Sequence, residues 1–289
     1  MTDYRYVLIT SARNEEAYIE KTMQAVISQT IPPEKWIIAS DGSTDQTENI
    51  VRKYANEWDF IELLCVQGDR NRNFGSKVRA IHKALELLVD TGYEFIGILD
   101  ADISFGTDYF ELIFNKFREN NLLGIAGGFI HEEEKGEFIP RPFNSTGAVP
   151  NAVQLFRREC YEETGGFVAL KYGGEDSYSE VMARAAGWEV ESFPGIKVLH
   201  HRHTLAAEGR LEGAYREGKM DYGLGSSIIF EILKCIGRTK VKPYGIFAGC
   251  RFAGFISRYL VKEQRGVSGE FIKKLRSEQY SKIISIFLN

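Results

Sequence analysis

The first half of the chain alternates short apolar runs with segments whose apolar positions recur at helical spacing. Tyr6-Val7-Leu8-Ile9 reads as a strand, and Glu15 to Ser28 as a helix with Ile19, Met23, Val26 and Ile27 on one face. Trp36 to Ala39 is a second strand, followed by a helix from Thr44 to Glu57 that Ser43 or Thr44 can cap. Ile61 to Val66, Ser76 to Val89, Phe95 to Leu99 and Asp108 to Phe117 continue the alternation of strand and helix. Strands this continuously apolar, separated by helices, predict an α/β fold: a Rossmann-like, mostly parallel sheet with helices on both faces.

Beyond Gly124 the pattern loosens. Ile125 to Phe129 reads as another strand, and residues 131–150 as a polar, Pro- and Gly-containing mobile loop. Glu175 to Ala186 is helical, Glu189 to Phe193 and Lys197 to His200 are strand-like, and the chain after Thr204 is amphipathic and helical to its end. This divides the chain into a domain over residues 1–205 and a helical extension over residues 206–289.

Composition adds a charge asymmetry. The 289 residues are 44% hydrophobic and 26% charged, with a net charge of -4, which argues against nucleic acid as a partner. Residues 206–289 hold 15 Lys and Arg against 8 Asp and Glu, whereas residues 1–205 hold 21 against 32. An acidic body with a basic tail suggests that the tail meets an anionic surface. Cys65, Cys160, Cys235 and Cys250 form no metal-type pair and read as thiols of a reducing compartment. With no leader-like N-terminus and no uncharged run of the ~18 residues a membrane span needs, the expectation is a cytoplasmic protein, at most peripheral at the inner face of the cell membrane.

In a sheet of this kind the ligand sits beyond the carboxyl ends of the strands. The residues there are Thr10 to Glu15, Ser40-Asp41-Gly42-Ser43, Gln67-Gly68-Asp69 and Asp100-Ala101-Asp102. If the chain stays extended, Asp100 and Asp102 point the same way and suit a hard divalent cation such as Mg2+ or Mn2+. Alone, an Asp-x-Asp is also a solvated strand end, and Asp41-Gly42-Ser43 is also an ordinary turn before a helix.

Together, Thr10-Ser11-Ala12-Arg13-Asn14-Glu15-Glu16, Asp41-Gly42-Ser43-Thr44-Asp45 and Asp100-Ala101-Asp102 resemble, in order and spacing, the donor-site motifs of family 2 glycosyltransferases. The resemblance covers roughly residues 4–205. It implies a GT-A fold and an inverting transfer from a nucleotide diphosphate sugar. Ser11, Ala12, Arg13 and Glu15 would hold the nucleoside, with Asp41 and Gly42 at the base and Asp100 and Ala101 at the ribose. Asp102 would bind Mn2+ or Mg2+. The first motif lacks the family's usual proline and aromatic, which leaves the nucleotide open. Lys77 and Arg79 fall where the family often carries a cation near the donor, and Arg70 and Arg72 make the stretch basic.

The same resemblance makes Glu175-Asp176 the pair that supplies the base. An inverting displacement needs one carboxylate to take the acceptor hydroxyl proton. Asp176 is assigned that role, with Gly174, Glu175 and Trp188 toward the acceptor, a saccharide or lipid-linked saccharide. Among His200, His201 and His203, strand alternation puts His200 and Arg202 on one side, and His200 is the candidate further metal ligand. In the tail, apolar runs from Ser226 to Leu233 and from Tyr244 to Leu260 are interleaved with basic residues. They suit a membrane surface or a twin subunit. The competing readings are a sugar-nucleotidyltransferase, which would want a glycine-rich first turn, and a non-catalytic sugar-nucleotide-binding scaffold.

Overall fold

A computed structural model of the chain describes residues 4–66, 74–89, 91–134, 136–202 and 209–288. Gln67-Gly68-Asp69, Arg70, Arg72 and His203 lie outside the described residues. The chain divides into two compact units. One takes in residues up to 169 and 175–203, and the other residues 170–174 and those from 204 on.

The first unit runs β1 (Tyr6–Ala12), α1 (Ile19–Ile27), β2 (Lys35–Asp41), α2 (Thr47–Ala55), β3 (Ile61–Val66), α3 (Phe74–Glu86), β4 (Phe95–Leu99), β5 (Ile103–Phe105) and α4 (Tyr109–Glu119). It continues with β6 (Leu123–Glu134), β7 (Glu137–Pro140), β8 (Val153–Arg157), α5 (Arg158–Thr164), α6 (Glu175–Ala185) and β9 (Glu189–His200). The strand order is β3-β2-β1-β4-β8-β6-β9-β5, with β7 paired to β6. The β3-β2-β1-β4 half is parallel, as continuous apolar strands joined by helices require. The other half is mixed: β8 runs antiparallel to β4 and β6, β9 parallel to β6, and β5 antiparallel to β9.

Alternation along β1 separates two cores. Tyr6 and Leu8 face a cluster with Met23 of α1 and Phe110, Phe114 and Phe117 of α4. Val7 and Ile9 face Val78 and Ile81 of α3, Tyr161 of α5 and Ala183 of α6. Helices therefore cover both faces, and the polar ends of the parallel strands are left at one edge.

Several elements differ from the pattern-based reading. Residues 131–150 do not form one loop, because β6 extends to Glu134 and returns as β7, with His131 opposite Pro140. Residues 189–200 form one strand, and the residues between Phe193 and Lys197 bulge where Gly128 and Phe129 remain adjacent on β6. β8 and α5 interrupt what periodicity left unassigned. The mid-strand Gln154 of β8 is buried and donates from Nε2 to the Val149 carbonyl at 2.9 Å.

The second unit holds α7 (Arg210–Leu224), α8 (Ile228–Gly237), α9 (Ile246–Leu260) and α10 (Gly269–Leu288). No helix among the described residues is long and apolar enough to cross a membrane. α7 and α9 meet backbone to backbone. A Cβ on Gly218 would lie 1.9 Å from the Arg251 carbonyl oxygen, and one on Gly254 would lie 1.9 Å from that of Tyr215. Gly254→Val must therefore force the two helices apart. It should cost at least ~3 kcal/mol, read as a lower midpoint in urea denaturation followed by circular dichroism.

Candidate active site

Local backbone chemistry at the ends of β1 and β2 builds the first part of the site. Asn14 adopts a positive φ of 57°, which turns the chain so that α1 begins at Ile19 instead of Glu15. The N–H groups freed by this turn are used at once. Asn14 donates to Ser43 Oγ at 3.2 Å, Glu15 to Thr47 Oγ1 at 2.7 Å and Glu16 to Asp45 Oδ2 at 3.1 Å. In return Thr44 N–H donates to Asn14 Oδ1 at 2.8 Å. The two loops clasp each other, and α2 starts at Thr47, whose N–H donates to Asp45 Oδ1 at 3.0 Å. The expected caps, Ser43 and Thr44, serve the clasp instead. Ser11 and Ala12 are strand residues of β1, and Gly42 makes the turn after β2 with φ of 67°. Arg13 and Asp41 end adjacent strands, with Arg13 Nη1 3.6 Å from Asp41 Oδ2.

At β4 the chain turns at Ala101 and Asp102 and does not stay extended, so the two carboxylates part toward different cations. Asp100 Oδ1 accepts from Lys77 Nζ at 2.6 Å. Asp102 Oδ1 lies 3.3 Å from His200 Nε2, and its Oδ2 lies 3.4 Å from Arg202 Nε. The β5–β9 register, with Ile103 opposite His200, delivers this imidazole. Arg202 also donates to Glu15 and lies 5.2 Å from the Tyr18 ring centre. His200 and Arg202 share a side, as alternation predicts, and His201 faces away to Ser104 Oγ at 2.8 Å.

The charges support one another. Burial alone would raise the Asp100 pKa, but the Lys77 ammonium overrides it and holds the carboxyl below its ordinary value. Lys77 is raised in turn: burial opposes its charge, and Asp100, Glu175 and Asp176 outweigh that. Burial also opposes the His200 charge, yet Asp102 and Glu132 raise that imidazole to about 9. His200 Nδ1 is 3.7 Å from Glu132 Oε1, an ionic contact too long for a hydrogen bond.

Glu175 and Asp176 open α6, where the helix dipole favours negative charge. Glu175 is buried and accepts from Asn151 Nδ2 at 2.8 Å. Burial pushes Asp176 up to about 6, and Glu175 adds to the rise. The Ser177 N–H, Lys77 and Arg141 work against it. Asp176 lines a cavity of about 130 Å³ with Arg141, Phe143, Asn144 and Ser145. Phe143 is exposed at a positive φ of 66°, a conformation unusual for an aromatic residue. Asn144 Nδ2 donates to the Ile130 carbonyl at 2.8 Å, and its buried Oδ1 has no hydrogen-bond partner among the described residues.

Two residues expected toward the acceptor have the following contacts. Trp188 follows the far end of α6 from Asp176, packs against the second core and donates from Nε1 to Glu163 at 2.8 Å. Gly174 belongs to the second unit, where a Cβ would meet Leu224 at 2.9 Å. Glu132, Asn144, Asn151 and Phe143 were not legible as site residues, because each lies in or near the stretch read as loop. The alternation that singled out His200 also carried Arg202.

A divalent ion can be tested against these donors. Two ligands in adjoining positions around a small cation, with bonds of ~2.1 Å, stand ~3 Å apart. The 3.3 Å between Asp102 Oδ1 and His200 Nε2 suits such a pair. Among the described residues no group of three or more His, Cys, Asp or Glu is placed to hold a metal. If Asp102 and His200 were two of the donors, phosphate oxygens and water would complete the shell, as is usual for Mg2+ and Mn2+.

Comparison with known proteins places this geometry in a class. The sequence profile of glycosyl transferase family 2 matches residues 7–182, and the chain belongs to that family. It is 29% identical over 117 residues to the poly-beta-1,6-N-acetyl-D-glucosamine synthase of Staphylococcus epidermidis, spanning 40% of this chain and 26% of that protein. It is 23% identical over 202 residues to the O-antigen chain rhamnosyltransferase WbaN of Salmonella anatum, spanning 62% and 61%. The chain thus covers from about a quarter to about three fifths of these relatives. Its fold is the GT-A fold. The mannosyltransferase PcManGT of Pyrobaculum calidifontis, solved in complex with GDP-Man and Mn2+, superposes with a TM-score of 0.59 at 18% identity, over 99% of this chain and 81% of that one.

The charge pattern predicts a pH signature. With a pKa raised from 6.5 to about 9, His200 is protonated at neutral pH in metal-free protein. Its contribution to stability is complete below pH 6.5 and disappears as pH rises through about 9. Imidazole NMR should show this titration, and Asp102→Asn should bring it down toward 6.5. An unchanged midpoint in that variant would refute the ion pair.

Proposed function

We propose that the chain is an inverting glycosyltransferase that moves a sugar from a nucleotide diphosphate donor to a hydroxyl acceptor. The observation that carries this reading is Lys77. Its ammonium touches Asp100 at the end of β4 and acts on Glu175 and Asp176 at the start of α6, so the donor-type and base-type carboxylates surround one cation. Family membership and the two-donor pair Asp102–His200 support the same reading.

In this scheme Arg13, Asp41 and Gly42 hold the nucleoside with Ser11, Ala12 and Glu15, and Asp100 with Ala101 meets the ribose. Asp102 and His200 would hold Mn2+ or Mg2+, which would supply positive charge against the departing diphosphate. Mn2+ accepts one imidazole among oxygens more readily than Mg2+ does. Asp176 takes the acceptor hydroxyl proton as the oxygen attacks the anomeric carbon. Burial readies it, because a base with a pKa near the working pH transfers protons most effectively. The acceptor, a saccharide or lipid-linked saccharide, sits in the cavity beside Asp176. There the exposed Phe143 ring offers a stacking face.

UDP-, GDP- and TDP-sugars should be screened for Mn2+-dependent nucleotide release with saccharide acceptors. Asp176→Asn should lower kcat by about 10²–10⁴-fold with no loss of melting temperature, since it removes a buried carboxylate whose charge is disfavoured. In the wild type, kcat/KM should fall as pH drops through about 6, where Asp176 takes up its proton. Lys77→Met removes an opposing charge and should move that limb upward. Phe143→Ala should raise the acceptor KM and leave the donor KM unchanged. A full rate in Asp176→Asn would refute Asp176 as the base, and inertness toward every donor would refute the transferase reading in favour of the scaffold or sugar-nucleotidyltransferase.

A further inference from the structure

Helix α8 is amphipathic with its faces reversed. The side it turns inward is ionic. Glu231 is fully buried and accepts from Arg251 Nε at 3.1 Å, Cys235 lies one turn further on, and Lys234 Nζ reaches Asp221 Oδ2 at 2.8 Å. Arg251 of α9 is buried too, and also bonds Glu217 and Asp221 of α7. The side α8 turns outward is aliphatic: Ile228, Ile229, Ile232 and Ile236 are exposed, Ile229 by 54% and Ile236 by 60%. These positions fall within one arc of the helix, at i, i+1, i+4 and i+8. Tyr244, which follows the helix in sequence, is also 65% exposed.

Hydrophobic burial would normally place such a stripe inside. Here the ionic contacts set the opposite rotation of the helix, and the stripe is left exposed among the described residues. The surrounding charge says which kind of partner suits it. Glu217, Asp221 and Glu231 are turned inward onto Arg251 and Lys234, so their negative charge is spent within the unit. Lys240 and Lys242 are exposed between the helix and Tyr244, and Lys242 Nζ lies 6.0 Å from the Tyr244 ring centre. Lysine is depleted from protein interfaces, whereas an isoleucine face rimmed by lysine and tyrosine matches the boundary between lipid headgroups and acyl chains.

We propose that the outward face of α8, with Lys240, Lys242 and Tyr244, is a docking surface for an anionic lipid bilayer. The isoleucines enter the acyl boundary and the lysines meet anionic headgroups. This stands apart from the transferase reading, since a chain inert on every donor could still bind vesicles.

The test is co-sedimentation of the full chain with phosphatidylcholine vesicles, with and without phosphatidylglycerol, at low salt. The wild type should pellet with the phosphatidylglycerol vesicles and bind neutral ones at least tenfold more weakly. Ile229→Asp with Ile236→Asp, at exposed positions, should weaken binding ~100-fold or more. Should that pair disturb α8, Lys240→Glu with Lys242→Glu lies outside the helix and should weaken binding ~30-fold. Wild-type chain staying in the supernatant, or either pair binding like wild type, would overturn the proposal. So would a dimer in analytical ultracentrifugation that the aspartate pair dissolves while vesicles capture nothing, which would make a second copy the occupant.

Discussion

Negative charge gathered at one sheet edge is the constraint that organises the first unit. Glu15, Asp100, Asp102, Glu132, Glu175 and Asp176 converge there, and a buried carboxylate without a counter-charge is costly. Arg202, His200 and Lys77 meet much of that demand, each shared. Arg202 joins Glu15 to Asp102, His200 stands between Asp102 and Glu132, and Lys77 serves Asp100 together with Glu175 and Asp176. Because each cation is shared, removing one affects groups on different elements. The same positive charges are what a diphosphate would meet on entering the proposed donor site.

The sheet explains how those groups come together. The parallel half brings the ends of β1, β2 and β4 to one edge, where Arg13, Asp41 and Asp100 sit. The mixed half brings partners from much later in the chain. The pairing of β5 with β9 delivers His200 to Asp102 across nearly a hundred residues, and β6, extended into a hairpin, brings Glu132 to the same place. The clasp between the loops after β1 and β2 fixes the side proposed for the nucleoside through backbone N–H groups. Its geometry therefore depends little on which side chains would face a base.

The second unit solves a related problem in the opposite sense. There one buried cation, Arg251, draws Glu217, Asp221 and Glu231 inward, and close glycine contacts bring α7 and α9 together around it. Ionic pairing in low dielectric is directional, whereas apolar burial is not, so a fully engaged arginine can set the rotation of a helix against its own hydrophobic stripe. The amphipathic reading of the tail identified the apolar and basic residues. Which of them face outward depends on Arg251.

Much of the candidate site was legible in the sequence because its residues follow strands directly. Asp41, Asp100 and Asp102 after apolar runs, and Glu175-Asp176 at a helix start, can be located from periodicity and turn chemistry alone. The parallel strands and their helices were legible for the same reason: burial on both faces writes itself as continuous apolar runs. Only the tertiary structure decided that Asp100 and Asp102 part toward Lys77 and His200, that Trp188 packs against the second core, and that β6 pairs with β7 and carries Glu132 toward His200. Local pattern reports the environment of a residue along its own element. Counter-charges are chosen by neighbours distant in the chain, and no periodicity records them.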